Sequence, residues 1–183
     1  MGVCSAGRQE RPQTDNRQRG VTLLELVVVV CIASVVGFVA LGAYHRLLID
    51  VERTTLEQNI GLIQSAVAMQ FAALYVAGDK EGLAQLPQRN PMEMMEQPPE
   101  NYSGEVAGRE LTELAPGHWY YDSTSQRLIY LVRNHKYFET ALSGTPRAEF
   151  FITGQKDQTG QGGEVSMPVI QTQSTYRWLR PWD

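Results

Sequence analysis

Cysteine and histidine are scarce in this chain of 183 residues. Its two cysteines are Cys4 and Cys31, and Cys31 lies inside a long apolar run, so the polar part of the chain after residue 44 has no disulfide. The three histidines, His45, His118 and His135, lack the spacing of metal ligands. There is no Gly-x-Ser-x-Gly elbow, phosphate-binding loop or dinucleotide fingerprint. We therefore expect no enzyme activity and no cofactor.

Concentrated charge of one sign is also missing. The formal net charge is −4, and the arginines are scattered rather than gathered into a basic patch, which argues against nucleic acid as a partner. Residues 1–20 carry four arginines and two acids, so the rest of the chain has a formal net charge of −6. Asp157 lies in a glycine-rich loop at 154–163 and Glu164 follows it, but a calcium site needs more oxygens than two carboxylates supply. We expect no metal.

Residues 26–44 contain no charged side chain, and residues 21–77 contain no proline. The apolar run that begins at Val21 is long enough to cross a bilayer, which takes about 20 helical residues. Glu25 lies inside its leading edge, where a carboxylate at membrane depth costs about 2.5–3.5 kcal/mol. This cost makes Glu25 a candidate functional residue.

Three other interpretations of the apolar run fit less well than a membrane-spanning helix with a functional acid. A secretory signal has an apolar region of about 7–15 residues, shorter than this one. A lipoprotein signal with Cys31 as the lipidated residue would have a small residue before it, and here that residue is Val30. A plain single-pass anchor explains the length of the run but not the placement of Gly20 and Glu25.

The junction Arg17-Gln18-Arg19-Gly20-Val21-Thr22-Leu23-Leu24-Glu25 resembles the processing site of type IV pilin-like proteins, which include pilins, minor pilins and type II secretion pseudopilins. The resemblance implies that a prepilin peptidase cuts between Gly20 and Val21 and methylates the new N-terminus of Val21. It also implies a place in the bacterial inner membrane, other pilin-like subunits as partners, and an inner-membrane assembly platform.

Cleavage would create an α-amine at Val21, which is mostly cationic at neutral pH. It would lie one helical turn from Glu25. In a packed bundle of such helices, the carboxylate of one subunit could meet the amine of its neighbour. A pair at about 4 Å is worth about 1 kcal/mol in water and about 4 kcal/mol at an intermediate dielectric. The resemblance implies this assembly role for Glu25; the alternative is that Glu25 only reaches the lipid headgroups.

The rest of the chain predicts an α+β fold in which a long N-terminal helix packs on a C-terminal antiparallel sheet of about four strands, as in pilins. Apolar residues recur at helical spacing after residue 44, with polar residues opposite, and Gly78-Asp79 is a stop signal. The apolar positions are Ile49, Leu56, Ile60, Ile63, Val67, Phe71 and Leu74, and the polar ones are Asp50, Arg53, Glu57, Gln64 and Gln70. Strands are predicted at 118–121, 127–133, 136–138, 149–153 and 169–176, the third of them short. Met92, Met94 and Met95 are expected to fill core space.

These patterns divide the chain into a cleaved leader at 1–20, a membrane-spanning half-helix at 21–44 and an extracytoplasmic domain at 45–183. The domain comprises an amphipathic helix at 45–77, a connecting loop at 78–116 and a sheet at 117–178. Arginines precede the span, so the positive-inside rule leaves the leader in the cytoplasm and the domain in the periplasm. The favoured function is a minor pilin in a type IV pilus. The alternatives are a type II secretion pseudopilin and a membrane-anchored binding domain that does not assemble.

Overall fold

The computed structural model describes residues 22–108, 110–154 and 167–179. The chain divides into two units between Gly42 and Ala43. The helices are α1 (Leu23–Ala77) and α2 (Lys80–Gln85), and short 3-10 turns occupy Leu86–Gln88, Pro91–Met94, Leu111–Glu113 and His135–Tyr137. The strands in the described residues are β1 (Tyr102–Val106), β2 (Trp119–Asp122), β3 (Arg127–Leu131), β4 (Phe138–Thr140), β5 (Arg147–Gly154), β6 (Pro168–Thr172) and β7 (Tyr176–Trp178).

In the first unit, the described residues form the N-terminal part of α1, and its large apolar side chains are exposed. Leu23 is 82% exposed and Phe38 is 80% exposed. Of the described helices, α1 is the one that is long and apolar enough to cross a membrane, and its most apolar window has no buried residue. This surface therefore requires an apolar environment from outside the subunit.

Helix α1 ends at the predicted stop signal. Gly78 has a φ of +70°, which glycine adopts without a steric penalty. The Asp79 amide donates to the Leu74 carbonyl at 3.0 Å, and the Gly78 amide donates to the Tyr75 carbonyl at 3.1 Å. These two bonds form a Schellman motif, which satisfies carbonyls that the end of the helix leaves open.

The second unit contains a five-stranded sheet with the order β1-β2-β3-β5-β6 and a separate two-stranded sheet of β4 and β7. β1 pairs with β2 in parallel, and the other pairs are antiparallel. The predicted fold class, a long N-terminal helix packed on a mostly antiparallel C-terminal sheet, is confirmed.

One face of α1 packs against the sheet. Leu56, Ile63 and Val67 are 0–1% exposed and share a core cluster with Trp119 and Phe150. Each fully buried side chain of this kind contributes about 1.5–3 kcal/mol by removing apolar surface from water. The predicted helix face therefore forms the core with the sheet, and Met92, which is fully buried in the same cluster, fills core space as predicted.

Three details of the sheet differ from the sequence patterns. β1 lies in the stretch predicted as a connecting loop. The predicted strand at 136–138 is misplaced, because His135–Tyr137 is a 3-10 turn and β4 begins at Phe138. The predicted strand at 169–176 is divided into β6 and β7, which belong to different sheets. The chain bends at the polar residues between β6 and β7. There the Thr172 hydroxyl donates to the Ser174 carbonyl at 2.7 Å.

Gln64 of α1 binds the outer edge of β6. Its side-chain Nε2 donates to the Pro168 carbonyl at 3.0 Å, and its Oε1 accepts from the Ile170 amide at 2.7 Å. The side-chain amide thus takes the two bonds that a further strand would make to these groups.

Candidate functional site

The predicted processing and assembly residues are Gly20, Val21 and Glu25. Of these, Glu25 is in the described part of the chain, at the N-terminal end of α1. Gly20 and Val21 lie outside the described residues. Thr22 precedes the helix, and its Oγ1 accepts from the Glu25 amide at 3.2 Å, while its carbonyl accepts from the Leu26 amide at 3.0 Å. Thr22 is therefore the N-cap and Glu25 the third helical residue, the spacing of a capping box.

The Glu25 carboxylate is in the first turn of α1, among exposed apolar side chains. Its neighbours Leu23, Leu24 and Leu26 are 82%, 73% and 57% exposed. Among the described residues, its carboxylate has no hydrogen-bond or ion-pair partner. The positive end of the helix dipole favours a negative charge at this position. The arrangement thus presents one acid on an otherwise apolar surface.

A neighbouring helix of the same kind would stabilise both parts of this surface, the apolar side chains and the Glu25 carboxylate. The apolar side chains need lipid or another helix around them, and the carboxylate needs a cation once water is excluded. The sequence pattern predicted Glu25 as the acid of this surface. The pattern did not predict the cap by Thr22, although Thr-x-x-Glu before an apolar run is itself a recognisable signal.

A second carboxylate, Glu52 of α1, joins the helix to the loop that follows β3. Its Oε1 accepts from the Tyr130 hydroxyl at 3.0 Å and from the Arg133 amide at 2.7 Å. Its Oε2 accepts from the Asn134 amide at 3.0 Å and from the Asn134 side-chain amide at 2.6 Å. We call this group the Glu52 clamp. It was missed in the sequence, since its partners lie about 80 residues further along the chain.

The clamp changes the acidity of Tyr130. Burial of the phenol raises its pKa, and the nearby Glu52 carboxylate raises it further by charge and by accepting its hydrogen bond; Arg133 opposes this effect. The neutral phenol is therefore the form that the folded protein stabilises.

Stability is expected to fall as the pH rises above the ordinary tyrosine pKa of 10.0. Because the unfolded chain releases the Tyr130 proton first, this residue contributes a loss of up to about 1.4 kcal/mol per pH unit in that range. Urea unfolding at neutral and alkaline pH measures the loss, and Tyr130→Phe should reduce it. Tyr102, Tyr121 and Tyr176 also have raised pKa values, mainly through burial, so part of the loss remains. An identical alkaline loss in Tyr130→Phe would contradict the assignment.

A third carboxylate, Glu149, is buried on β5 and paired with two arginines. Its side chain is 7% exposed, and it accepts from Arg127 Nη1 at 2.8 Å and from Arg147 Nε at 2.6 Å. Both oxygens are thus matched by a cation, which offsets the cost of burying the charge. The cluster joins β3 to β5.

The histidines do not form a metal site in the described part of the chain. His118 Nδ1 is 2.9 Å from Ser103 Oγ, and His135 Nδ1 is 3.3 Å from the Arg133 carbonyl. Within the described ranges, no group of three or more His, Cys, Asp or Glu side chains is placed to hold a metal ion. Asp157 and Glu164 lie outside these ranges.

Comparison with known families gives a match near the N-terminal end of α1. Residues 15–41 match the family described as the prokaryotic N-terminal methylation motif. Neither the curated proteins nor the solved structures include a significant match. The matched segment contains Gly20, Val21, the Thr22 cap and Glu25.

Proposed function

We propose that this protein is a structural subunit of a type IV pilus or related filament, and that within this class it is a minor pilin. Its N-terminal methylation motif is that of type IV pilin-like proteins of the prepilin type. A prepilin peptidase cuts between Gly20 and Val21 and methylates Val21. The mature chain then stays in the inner membrane with its C-terminal domain in the periplasm until it assembles with other pilin-like subunits.

The match of residues 15–41 carries this proposal, and two features of the structure support it. Helix α1 exposes its apolar side chains on all sides near the N-terminus, as a helix surrounded by lipid or by other helices must. Glu25 stands in the first turn of that helix with its carboxylate unpartnered among the described residues. An amine created at Val21 of a neighbouring subunit supplies the missing cation.

A pseudopilin of a type II secretion system is the alternative, because it shares the same processing motif. The absence of a disulfide beyond the apolar run argues against a major adhesive pilin. Neighbouring genes for a pilus apparatus or for a secretion apparatus distinguish the minor pilin from the pseudopilin.

Mass spectrometry of the protein from its native cells tests the processing step. We expect a mature chain that starts at Val21 and carries one added methyl group, and we expect Gly20→Ala to abolish this product while membrane insertion persists. Gly7→Ala, a matched change elsewhere in the leader, should leave processing intact. A chain that retains its leader, or that starts at Cys31, would refute the proposal.

A further inference from the structure

One surface of the second unit has the composition of a lipid-binding site. Four apolar side chains form a stripe on α1: Tyr44, Leu47, Leu48 and Val51, which are 57%, 58%, 40% and 52% exposed. Their spacing of three and four residues places them on one face of the helix. Two cationic residues of the loop after β3, Arg133 and Lys136, are also exposed. We call the stripe and these two cations the headgroup rim.

The cations of the rim differ from four other described cations of the domain, whose charged groups are neutralised by ion pairs. Four other arginines each form an ion pair with a glutamate: Arg53, Arg127, Arg147 and Arg177. In the described part of the chain, neither the Arg133 guanidinium nor the Lys136 ammonium has an ion pair. The two positive charges are therefore available to an anion.

The Glu52 clamp holds this loop beside the stripe. It fixes the backbone amides of Arg133 and Asn134 to α1, one residue after Val51. Arg133, Leu48 and Val51 line a common cavity of about 280 Å³. The Arg133 side chain lies over Gly117, where an added Cβ would be 2.7 Å from its Nε, so the absence of a side chain at Gly117 leaves room for the guanidinium.

The stripe is also at the right distance along the helix. Tyr44 is the last residue of the uncharged run, and Leu47 and Leu48 follow it by roughly 5 and 6 Å of helix, within the depth of a headgroup layer, while Val51 lies about 10 Å on, just beyond it. The headgroup layer adds roughly 5–8 Å on each side of the hydrocarbon core. Tyrosine is moreover a typical side chain of this interface.

We propose that the headgroup rim binds an anionic phospholipid, with the phosphate at Arg133 and Lys136 and the glycerol and upper acyl region along the stripe. The inference rests on the membrane anchoring in the proposed function. Lipid is favoured over a second copy of the chain because the stripe follows the uncharged run directly in the sequence, so lipid is close to it before any other subunit arrives. The bound lipid would hold the domain against the membrane until assembly.

The test uses the full chain in nanodiscs of phosphatidylcholine alone or with one quarter phosphatidylglycerol. With Cys4 and Cys31 replaced by serine, His135→Cys carries a fluorophore beside the two cations, and an aqueous quencher reports its exposure. We expect phosphatidylglycerol to protect the fluorophore and high salt to remove the protection, because salt screens exposed charges.

The double substitution Arg133→Gln and Lys136→Gln should lower the ratio of domains docked on the bilayer to undocked domains by about 30-fold. This is the effect expected for two cations at an anionic surface. The matched control is Lys80→Gln with Arg89→Gln, which removes two exposed cations outside the rim and should leave the protection unchanged. Equal protection in both lipids, or equal protection in the rim variant, would overturn the proposal. Protection that follows the number of protein copies per disc instead of the lipid would assign the rim to a second copy. Neither readout requires cleavage or filaments, so the result is independent of the processing test.

Discussion

Glu25→Gln is expected to reduce incorporation of the protein into filaments by a factor of between about five and several hundred. The range corresponds to an ion pair worth about 1 kcal/mol in water and about 4 kcal/mol at an intermediate dielectric. The loss arises because the amine at Val21 of the neighbouring subunit would have no carboxylate to meet. Quantitative immunoblotting of sheared filaments, relative to the membrane pool, measures the ratio.

The structure allows the charge of Glu25 to be separated from its place in the helix cap. Glutamine also fits the third position of a capping box, so Glu25→Gln removes the charge and keeps the cap. Thr22→Val does the reverse, because it removes the Oγ1 that accepts from the Glu25 amide and keeps the carboxylate. Glu81→Gln, an exposed change in α2, is the control for the loss of one acid. If Thr22→Val abolishes incorporation and Glu25→Gln does not, the cap and not the ion pair governs assembly.

Glu52→Ala is expected to destabilise the second unit by about 2–4 kcal/mol. The substitution leaves the Tyr130 hydroxyl, two backbone amides and the Asn134 side chain without their acceptor, and hydrogen bonds to charged groups contribute about 1.5–3 kcal/mol each before water replaces some of them. For a domain of this size the loss lowers Tm by roughly 4–16 °C. Thermal unfolding of the full chain in detergent, followed by circular dichroism, gives the value.

Glu57→Ala is the matched control for the Glu52 clamp. Glu57 is on the same helix and accepts from Arg53 at 2.9 Å, but both side chains are about half exposed. Surface pairs of this kind contribute about 0–1 kcal/mol, so Glu57→Ala should change Tm by only a few degrees. Equal destabilisation by both substitutions would mean that the clamp adds nothing beyond an ordinary surface pair.

The elements that were predictable from the sequence are those whose signals are local. Helix α1 was predictable from three local features. These are the uncharged run, the helical spacing of Leu56, Ile63 and Val67, and the glycine after Ala77. The hairpin of β2 and β3 is likewise marked by two apolar segments and a polar turn, in which Asp122 Oδ1 accepts from the Thr124 amide at 3.0 Å.

The missed elements depend on distant partners. β1 has only five residues, includes Gly104 with a φ of +90°, and pairs in parallel with a strand beyond a long connection, so its own sequence carries little strand signal. Gln64 was placed on the polar face of the helix, yet it bonds β6 about 105 residues away. In the candidate site, Glu25 was predictable because charge in an apolar run is conspicuous, whereas Glu52 is one of several acids beyond it.

The contact between Gln64 and β6 has a consequence for polymerisation. A bare outer strand recruits strands from other molecules and leads to amyloid-like aggregates. In the proposed function, copies of the chain held in the membrane are confined to two dimensions, where such encounters are frequent. The Pro168 carbonyl and the Ile170 amide are already occupied, so these two groups of the edge cannot pair with a foreign strand. The assembly proposed through the apolar helices then faces a weaker competing route.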